Sequence, residues 1–134
     1  MVVVDASLIV GSVSPDEISP GALHRAGLAF EMGAIAPALF AYEVENVLVV
    51  KERRGSLSRA DRERTSADIA SLPIAIRPLD LDRIRRELGV LAARAGLTVY
   101  DAAYLDLAIE TGAAMATLDG RLAAAAREAG VPLL

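Results

Sequence analysis

The chain has 134 residues, of which 54% are hydrophobic and only 4% aromatic, and it carries a net charge of −4. This composition excludes a disordered chain and predicts one domain, spanning residues 1–134, around a core of aliphatic side chains. The absence of cysteine excludes disulfides and thiolate metal sites, and neither a charged leader nor a run of about eighteen apolar residues is present, so we expect a cytoplasmic protein with no membrane contact.

Short apolar segments alternate with helical patterns through the first half of the chain. MVVVD predicts a buried strand that ends at Asp5, and ASLIVGSV continues it as a short helix. A helix from about Ser19 to Met32 follows and stops at a glycine, after which AIAP predicts a very short strand. Pro37 suits the first turn of the next helix, which is expected to run to about Arg54.

The second half of the chain repeats this alternation. Ser58 predicts the cap of a helix through about Ser71, PIAIRP is a strand bracketed by prolines, and a helix runs from about Leu81 to Ala95. The remaining elements are a helix in TVYDAAYLDLA, a strand in AAMATL, a helix in DGRLAAAAREAG and a terminal strand in VPLL. Such alternation is typical of βαβ units, so we predict an α/β fold whose parallel sheet is covered by helices on both faces.

Charge is distributed unevenly along the chain. From Lys51 to Arg94 there are eleven basic and seven acidic residues, whereas the remainder has three basic and eleven acidic residues. Nearly all of the basic residues are arginines, which bind phosphate and carboxylate groups through two-point contacts. The middle of the chain is therefore either a solvated surface of mixed charge or a surface that meets an anionic partner.

Three acids occur where predicted strands end or helices begin. Asp5 follows the first strand, Asp119 follows AAMATL, and Asp101 lies in the first turn of the helix that Thr98 begins. Each acid has a plain structural explanation, because acids cap helices and complement the helix dipole. In an open parallel sheet, however, ligands bind beyond the carboxyl ends of the strands. We therefore expect these three carboxylates at one edge of the sheet.

Glu43 differs from these acids because it lies in the middle of a predicted helix, far from both ends. Steps of three and four residues along that helix place Glu43 within the apolar stripe instead of on the polar face. Burying a carboxylate without a partner is costly, so Glu43 either reaches solvent or an arginine at the margin of the stripe, or it meets a cation.

If Asp5, Glu43, Asp101 and Asp119 converge, their mutual repulsion requires protonation or divalent cations. Cations are the simpler solution. An all-oxygen set of ligands without cysteine selects Mg²⁺ or Mn²⁺ over Zn²⁺. Ions held in this way orient and polarise phosphodiesters, so the four acids predict a nuclease site.

Three further polar residues lie close to these acids in the sequence. Ser7 and Thr117 are each two residues from an aspartate, and Asn46 lies one helical turn beyond Glu43. They are candidates for holding the acids or metal-bound waters, although each has an ordinary structural role as an alternative. His24 is expected at the surface or in packing and not as a metal ligand.

The motifs resemble those of PIN-domain ribonucleases of the VapC type, the toxin half of a toxin–antitoxin pair. VVVDAS resembles the opening strand of that family, with its Asp and the hydroxyl residue two places later, and APALFAYEVENVL resembles its Glu helix. TVYDAAYLDLA and ATLDGRLAAAA are similar to its third and fourth acid motifs, in the same order and at similar spacing. The resemblance covers nearly the whole chain.

This resemblance implies a three-layer α/β/α sandwich and a Mg²⁺- or Mn²⁺-dependent endoribonuclease. Its catalytic and metal-binding residues would be Asp5, Glu43, Asp101 and Asp119. It also implies a homodimer and a cognate antitoxin, one segment of which enters the active-site groove. RNA, dimerisation and the antitoxin are expected from the resemblance alone, whereas the acidic metal site is also predicted from the residues.

Two other functions fit part of this pattern. A phosphoacceptor receiver domain is also a small α/β unit with acids and Mg²⁺ at the strand ends, but it needs adjacent acids near the amino terminus and a lysine on a late strand. Here the only lysine, Lys51, lies in a predicted helix. A PIN-like interaction module that has lost activity is the second alternative, and the presence of all four acids argues against it.

Overall fold

The computed structural model describes the whole chain, from Met1 to Leu134. Four parallel strands form one sheet in the order β3-β2-β1-β4. Val2 of the central strand pairs with Ala34 on one side and Ala114 on the other. The strands are β1 Val2–Val4, β2 Ala34–Pro37, β3 Ile74–Arg77 and β4 Ala114–Ala116.

Helices connect the strands and cover the sheet. The helix α2 contacts β1, β2 and β4, and the helix α7 contacts the same three strands, which gives the three-layer α/β/α arrangement that the motifs imply. A π-helical turn, π1, lies between two of the helices. The helices are α1 Ala6–Val13, α2 Pro20–Met32, α3 Leu39–Arg53, α4 Arg59–Ala70, α5 Leu81–Arg83, π1 Ile84–Leu88, α6 Gly89–Ala95, α7 Val99–Thr111 and α8 Gly120–Glu128.

The core is aliphatic, as the composition predicts. All three residues of β1 are fully buried, which explains why this strand reads as an unbroken apolar run without alternation. Leu48 of α3, Leu105 of α7 and Met115 of β4 pack into the same cluster. None of the helices combines the length and the apolar character needed to cross a membrane.

Helix ends follow the local signals in the sequence. The side chains of Ser19, Ser58 and Thr98 each accept a hydrogen bond from an amide three residues later, at 3.0 to 3.1 Å, and so cap α2, α4 and α7. Gly96 and Gly112 end α6 and α7 in the left-handed conformation, with φ of 65° and 63°. The predicted starts at Ser19, Ser58 and Thr98 and the predicted end of α6 before Gly96 are confirmed.

Three details differ from the sequence-based expectation. Pro37 is the last residue of β2, and α3 begins at Leu39. VPLL is not a strand: Leu133 forms a single bridge with Met115, because Pro132 has no amide hydrogen with which to extend the pairing. The helix expected from about Leu81 to Ala95 is interrupted by π1, whose wider hydrogen bonding leaves no periodicity signal in so short a stretch.

Candidate active site

Asp5 and Asp119 lie beyond the carboxyl ends of two neighbouring strands and cap the helices that follow. Asp5 Oδ1 accepts a hydrogen bond from the amide of Leu8 at 3.0 Å. Asp119 Oδ1 accepts from the amides of Arg121 and Leu122 at 2.8 and 3.0 Å. The capping explanation for both acids is therefore confirmed, and each carboxylate still has lone pairs for other partners.

A small hydrogen-bond network holds Asp5 and Asp119 in relation to each other. Ser7 Oγ lies 2.9 and 2.8 Å from the two carboxylate oxygens of Asp5 and donates to them. Thr117 Oγ1 donates to Asp5 Oδ2 at 2.6 Å and accepts from the amide of Asp119 at 2.9 Å. The amide of Leu118 in turn donates to Ser7 Oγ at 3.0 Å. Both hydroxyl residues that the sequence singles out near the aspartates thus contact Asp5.

Asp101 is positioned by the start of α7. Its backbone amide donates to Thr98 Oγ1 at 3.1 Å, which completes the cap and uses no oxygen of the Asp101 carboxylate in that bond. The side chain is only partly buried. Asp101 therefore begins its helix through its backbone amide, and this cap does not use its carboxylate.

Glu43 reaches the same place from the middle of α3. The buried face of this helix is formed by Phe40, Val44 and Leu48. Glu43 is half-buried at the margin of that face, whereas its spacing in the sequence predicted a position within the apolar stripe. One of its oxygens, Oε2, accepts a hydrogen bond from the hydroxyl of Tyr104. The alternative of a pairing with an arginine is excluded, because Glu43 forms no ion pair.

The four acids act on one another electrostatically. Burial raises the pKa of Asp5 above its ordinary value, and the charge of Asp119 raises it further. Burial also raises the pKa of Glu43, with Asp101 and Asp5 adding to the effect. The pKa of Asp101 is raised by burial and then by Asp119. The structure therefore places each of the four predicted acids within electrostatic reach of at least one other at the carboxyl edge of the sheet.

The acids are close but not fully converged. No group of three or more His, Asp or Glu side chains forms a ready-made metal-binding cluster. None of the four acids is neutralised by an ion pair with arginine or lysine. Because like charges repel, unpaired carboxylates hold one another apart until a positive charge draws them together.

Other residues near the acids in the sequence lie at the surface. Asn46 is exposed and forms no hydrogen bond with the four acids. Glu45 is exposed as well and accepts a hydrogen bond from Ser66. His24 is exposed, as expected. Of the three polar residues proposed to hold the acids, Ser7 and Thr117 make such contacts and Asn46 does not.

Sequence reasoning missed two residues that support the site. Tyr104 contacts Glu43, and the only signal for it is its spacing of three residues from Asp101, which places both on one side of a helix. Arg25 of α2 donates to the carbonyl oxygen of Thr117 at 3.0 Å and to that of Leu134 at 2.9 Å. No local pattern indicates Arg25, because its partners lie about a hundred residues away.

The basic middle of the chain is largely neutralised within the protein. Lys51 pairs with Asp16 at 2.6 Å and Glu17 at 2.7 Å, and Arg62 pairs with Glu52 at 2.9 Å. Five arginines of this segment form no ion pair: Arg53, Arg54, Arg77, Arg85 and Arg94. Six of the eleven basic residues in this segment therefore form ion pairs on a surface of mixed charge. The five other arginines have no acidic partner within the protein.

An open groove lies at the carboxyl ends of β2 and β3, and none of the four acids is among the residues that line it. It has a volume of about 280 Å³ and is lined mainly by apolar side chains. Tyr42 and Tyr100, which directly precede Glu43 and Asp101, line it and are 80% and 67% exposed. Leu79 continues this apolar surface and is 62% exposed.

Comparison with known proteins identifies the family. A family model for the PIN domain matches residues 2–128. The chain belongs to the PIN-domain family. It is 35% identical over 121 residues to Ribonuclease VapC3 of Pyrobaculum aerophilum, and this match covers 90% of the chain and 91% of the relative. The resemblance seen in the motifs is thus confirmed, and the receiver-domain alternative is wrong.

Solved structures show the same fold. The PIN domain is similar to PAE2754 of Pyrobaculum aerophilum, with a TM-score of 0.69, 25% identity, and coverage of 92% of this chain and 83% of the other. It is also similar to VapC20 of Mycobacterium tuberculosis, a toxin that cleaves the sarcin-ricin loop, with a TM-score of 0.64, 14% identity, and coverage of 93% and 95%. The α/β fold class is thereby confirmed.

Proposed function

We propose that this PIN domain is a Mg²⁺- or Mn²⁺-dependent endoribonuclease that hydrolyses RNA phosphodiester bonds and acts as the toxin of a toxin–antitoxin pair. The observation that carries the proposal is the placement of four carboxylates near one another, none neutralised by an ion pair, at the carboxyl edge of the sheet. The similarity to Ribonuclease VapC3 supports RNA as the substrate.

The chemistry of these side chains fits a hard divalent cation. The donors are Asp5, Glu43, Asp101 and Asp119, all oxygen ligands, and burial, with the charges of neighbouring acids adding to it, raises the pKa values of the first three. When bound, Mg²⁺ or Mn²⁺ supplies positive charge and polarises the phosphodiester. The four acids are therefore proposed as the metal-binding and catalytic residues.

The neighbouring polar groups have distinct proposed roles. Ser7 and Thr117 orient the Asp5 carboxylate through the hydrogen bonds they donate to it. Thr117 also fixes the loop that carries Asp119, because it accepts from the Asp119 amide. Asn46 is exposed one turn beyond Glu43 on α3, and we propose that it contacts groups of the substrate that enter beside the acids.

A homodimer is supported by the apolar surface around the groove. Tyr42, Leu79, Leu81 and Tyr100 are 62% to 80% exposed, and large contiguous apolar patches on soluble proteins mark interaction sites. The β3 edge lies next to them, with Ile76 47% exposed. Sedimentation analysis tests this part of the proposal: a monomer at micromolar concentration contradicts it, and Leu79→Arg is expected to dissociate a dimer.

We propose a cognate antitoxin and a cytoplasmic site of action, and the similarity to Ribonuclease VapC3 supports both. We propose that a segment of the antitoxin reaches the four acids and blocks access of RNA there, whereas the apolar groove belongs to the proposed dimer surface. An acidic antitoxin segment would be repelled by the acids, so the segment is expected to reach them with a basic side chain. The unpaired arginines of the middle segment remain available to RNA phosphates.

Cleavage of a structured RNA in Mn²⁺ tests the enzymatic function. The native protein is expected to cut it, and chelation with EDTA is expected to stop the reaction. Mapping the 5′ ends of cellular RNAs after induction of the protein then identifies the substrate. If Mn²⁺ raises the thermal stability of the native protein but the protein cuts no RNA, the result would instead support the catalytically silent interaction module.

A further inference from the structure

Tyr104 is the largest side chain that is fully buried in the protein. A buried tyrosine normally needs a hydrogen-bond partner for its hydroxyl, and backbone carbonyls usually supply one. Here the partner is a carboxylate of the acidic site, since the hydroxyl donates to Glu43 Oε2. The polar end of a core residue therefore lies within the candidate active site.

The bond connects two helices that carry acids of the site. Tyr104 lies on α7, three residues after Asp101, and Glu43 lies on α3. Burial raises the pKa of Tyr104, Glu43 and the charge of Asp5 raise it further, and a hydrogen bond from the amide of Ala6 opposes these effects, so the hydroxyl also lies near the end of the first strand. The hydroxyl group is thus placed near two of the four acids, Glu43 and Asp5.

Glu43 needs such a partner more than the other acids do. Asp5 and Asp119 are held by backbone amides at helix starts, and Asp101 sits in the first turn of α7, whereas Glu43 projects from the middle of α3 on a longer and more flexible side chain. Tyr104 provides its one side-chain hydrogen bond. The second oxygen of Glu43 and the remaining lone pairs stay available to a cation.

We propose that Tyr104 is a positioning residue, whose hydroxyl holds the Glu43 carboxylate in the orientation that binds the divalent ion. This inference rests on the proposed function. Partners of this kind behind metal-binding side chains typically contribute about 10- to 100-fold in metal affinity or activity. Because the ring of Tyr104 serves the core and only its hydroxyl serves Glu43, the two roles can be separated by Tyr104→Phe.

The test measures Mn²⁺ binding without any RNA or catalysis. The midpoint of thermal unfolding is followed as Mn²⁺ is titrated, for the native protein and for Tyr104→Phe. The variant is expected to need about 10- to 100-fold more Mn²⁺ for half of the maximal rise. Thr111→Val is the matched control: it removes a hydroxyl from the same helix, where Thr111 bonds only to the carbonyl of Leu107, and should leave the Mn²⁺ dependence unchanged.

A second background shows whether Tyr104 acts through Glu43. In Glu43→Ala, Tyr104→Phe is expected to cause no further change in the Mn²⁺ dependence, and an additional change there would overturn the proposal. A lowered unfolding midpoint with native Mn²⁺ dependence would mean that Tyr104 is only structural. If the native protein neither responds to Mn²⁺ nor cleaves RNA, the proposed function fails as well; if it does both and Tyr104→Phe matches it, only this inference fails.

Discussion

Two aspartates on α7, Asp101 and Asp106, lie five residues apart and have opposite surroundings. Asp106 is buried and accepts two hydrogen bonds from Arg83, at 2.6 and 2.8 Å, in a two-point ion pair. This pairing raises the pKa of Arg83. Asp101 has no such partner, and its own pKa is raised by burial and by the charge of Asp119.

The presence or absence of an ion-pair partner separates the structural acid from the candidate catalytic acids. A buried acid that serves the fold is neutralised within the protein, because an unpaired buried charge is costly. An acid that binds a cation must be left without a positively charged internal partner, and the fold tolerates the cost at that position. In this chain the four acids at the sheet edge share the condition of Asp101, and none shares that of Asp106.

The largest expected effect is on catalysis. Asp101→Asn should reduce RNA cleavage in Mn²⁺ by more than about 100-fold, since it removes a proposed metal-binding oxygen and not merely a supporting group. Asp101→Asn is a cleaner test than Asp5→Asn, because Asp5 also accepts bonds from Ser7, Thr117 and Leu8. Cleavage rates on one structured RNA provide the measurement.

Asp68→Asn is the control for that experiment. Asp68 is an exposed acid of α4 that forms no ion pair, so its loss should leave cleavage unchanged. Full activity in Asp101→Asn would contradict the assignment of the site.

The gain in the free energy of unfolding on adding Mn²⁺ should distinguish Asp101 from Asp106. At a concentration 100-fold above its dissociation constant, an ion that binds only the folded state adds about 2.7 kcal/mol to the free energy of unfolding. Calorimetry of the native protein should show this gain, and Asp101→Asn should lose most of it. The double variant Arg83→Met, Asp106→Leu should keep it, and an equal gain in all three proteins would argue against a metal site at Asp101.

Removing the partner of Asp106 should cost stability without involving the metal. Arg83→Met leaves a buried carboxylate unpaired and is expected to lower the free energy of unfolding by about 2 kcal/mol. Urea unfolding measures the loss. Replacing Asp106 by leucine in the same chain should restore most of it, whereas an uncompensated loss in the double variant would show that the pair contributes more than neutralisation.

The smallest expected effect is the pH dependence of the metal-free protein. The pKa of Asp101 is raised by folding above its ordinary value of 3.8, so the folded state holds a proton that the unfolded state releases. Its contribution to stability is complete below 3.8 and is lost as the pH rises through the folded pKa. Unfolding in EDTA between pH 4 and neutrality should therefore show a weaker fall in stability for Asp101→Asn than for the native protein.

Asp5 and Glu43 should behave in the same direction, because folding raises both of their pKa values. Asp16 is the opposite case: hydrogen bonds from Lys51 and Ser14 outweigh burial and lower its pKa, so its contribution is present above 3.8 and lost in stronger acid. A steeper pH dependence in Asp101→Asn than in the native protein would contradict the raised pKa of Asp101.

Much of the fold was predictable because its signals are local. The cap residues Ser19, Ser58 and Thr98 mark helix starts by chemistry that acts over three residues, and β1 is a short apolar run. One prediction that failed involves pairing at a distance. VPLL has the composition of a strand, but whether it pairs depends on the neighbour that β4 offers and on the missing amide of Pro132.

The positions of the four acids, after a strand, at the start of a helix or within a helix, could be read from the sequence alone. Caps, glycines and periodicity act within a few residues, so these signals are local. Only the tertiary structure decided the partners of the acids: Tyr104 meets Glu43 across 61 residues, and Arg83 neutralises Asp106 across 23. Those contacts depend on which faces of the helices pack against one another on the sheet. Two aspartates of one helix thus became a member of a structural ion pair and a candidate metal-binding group.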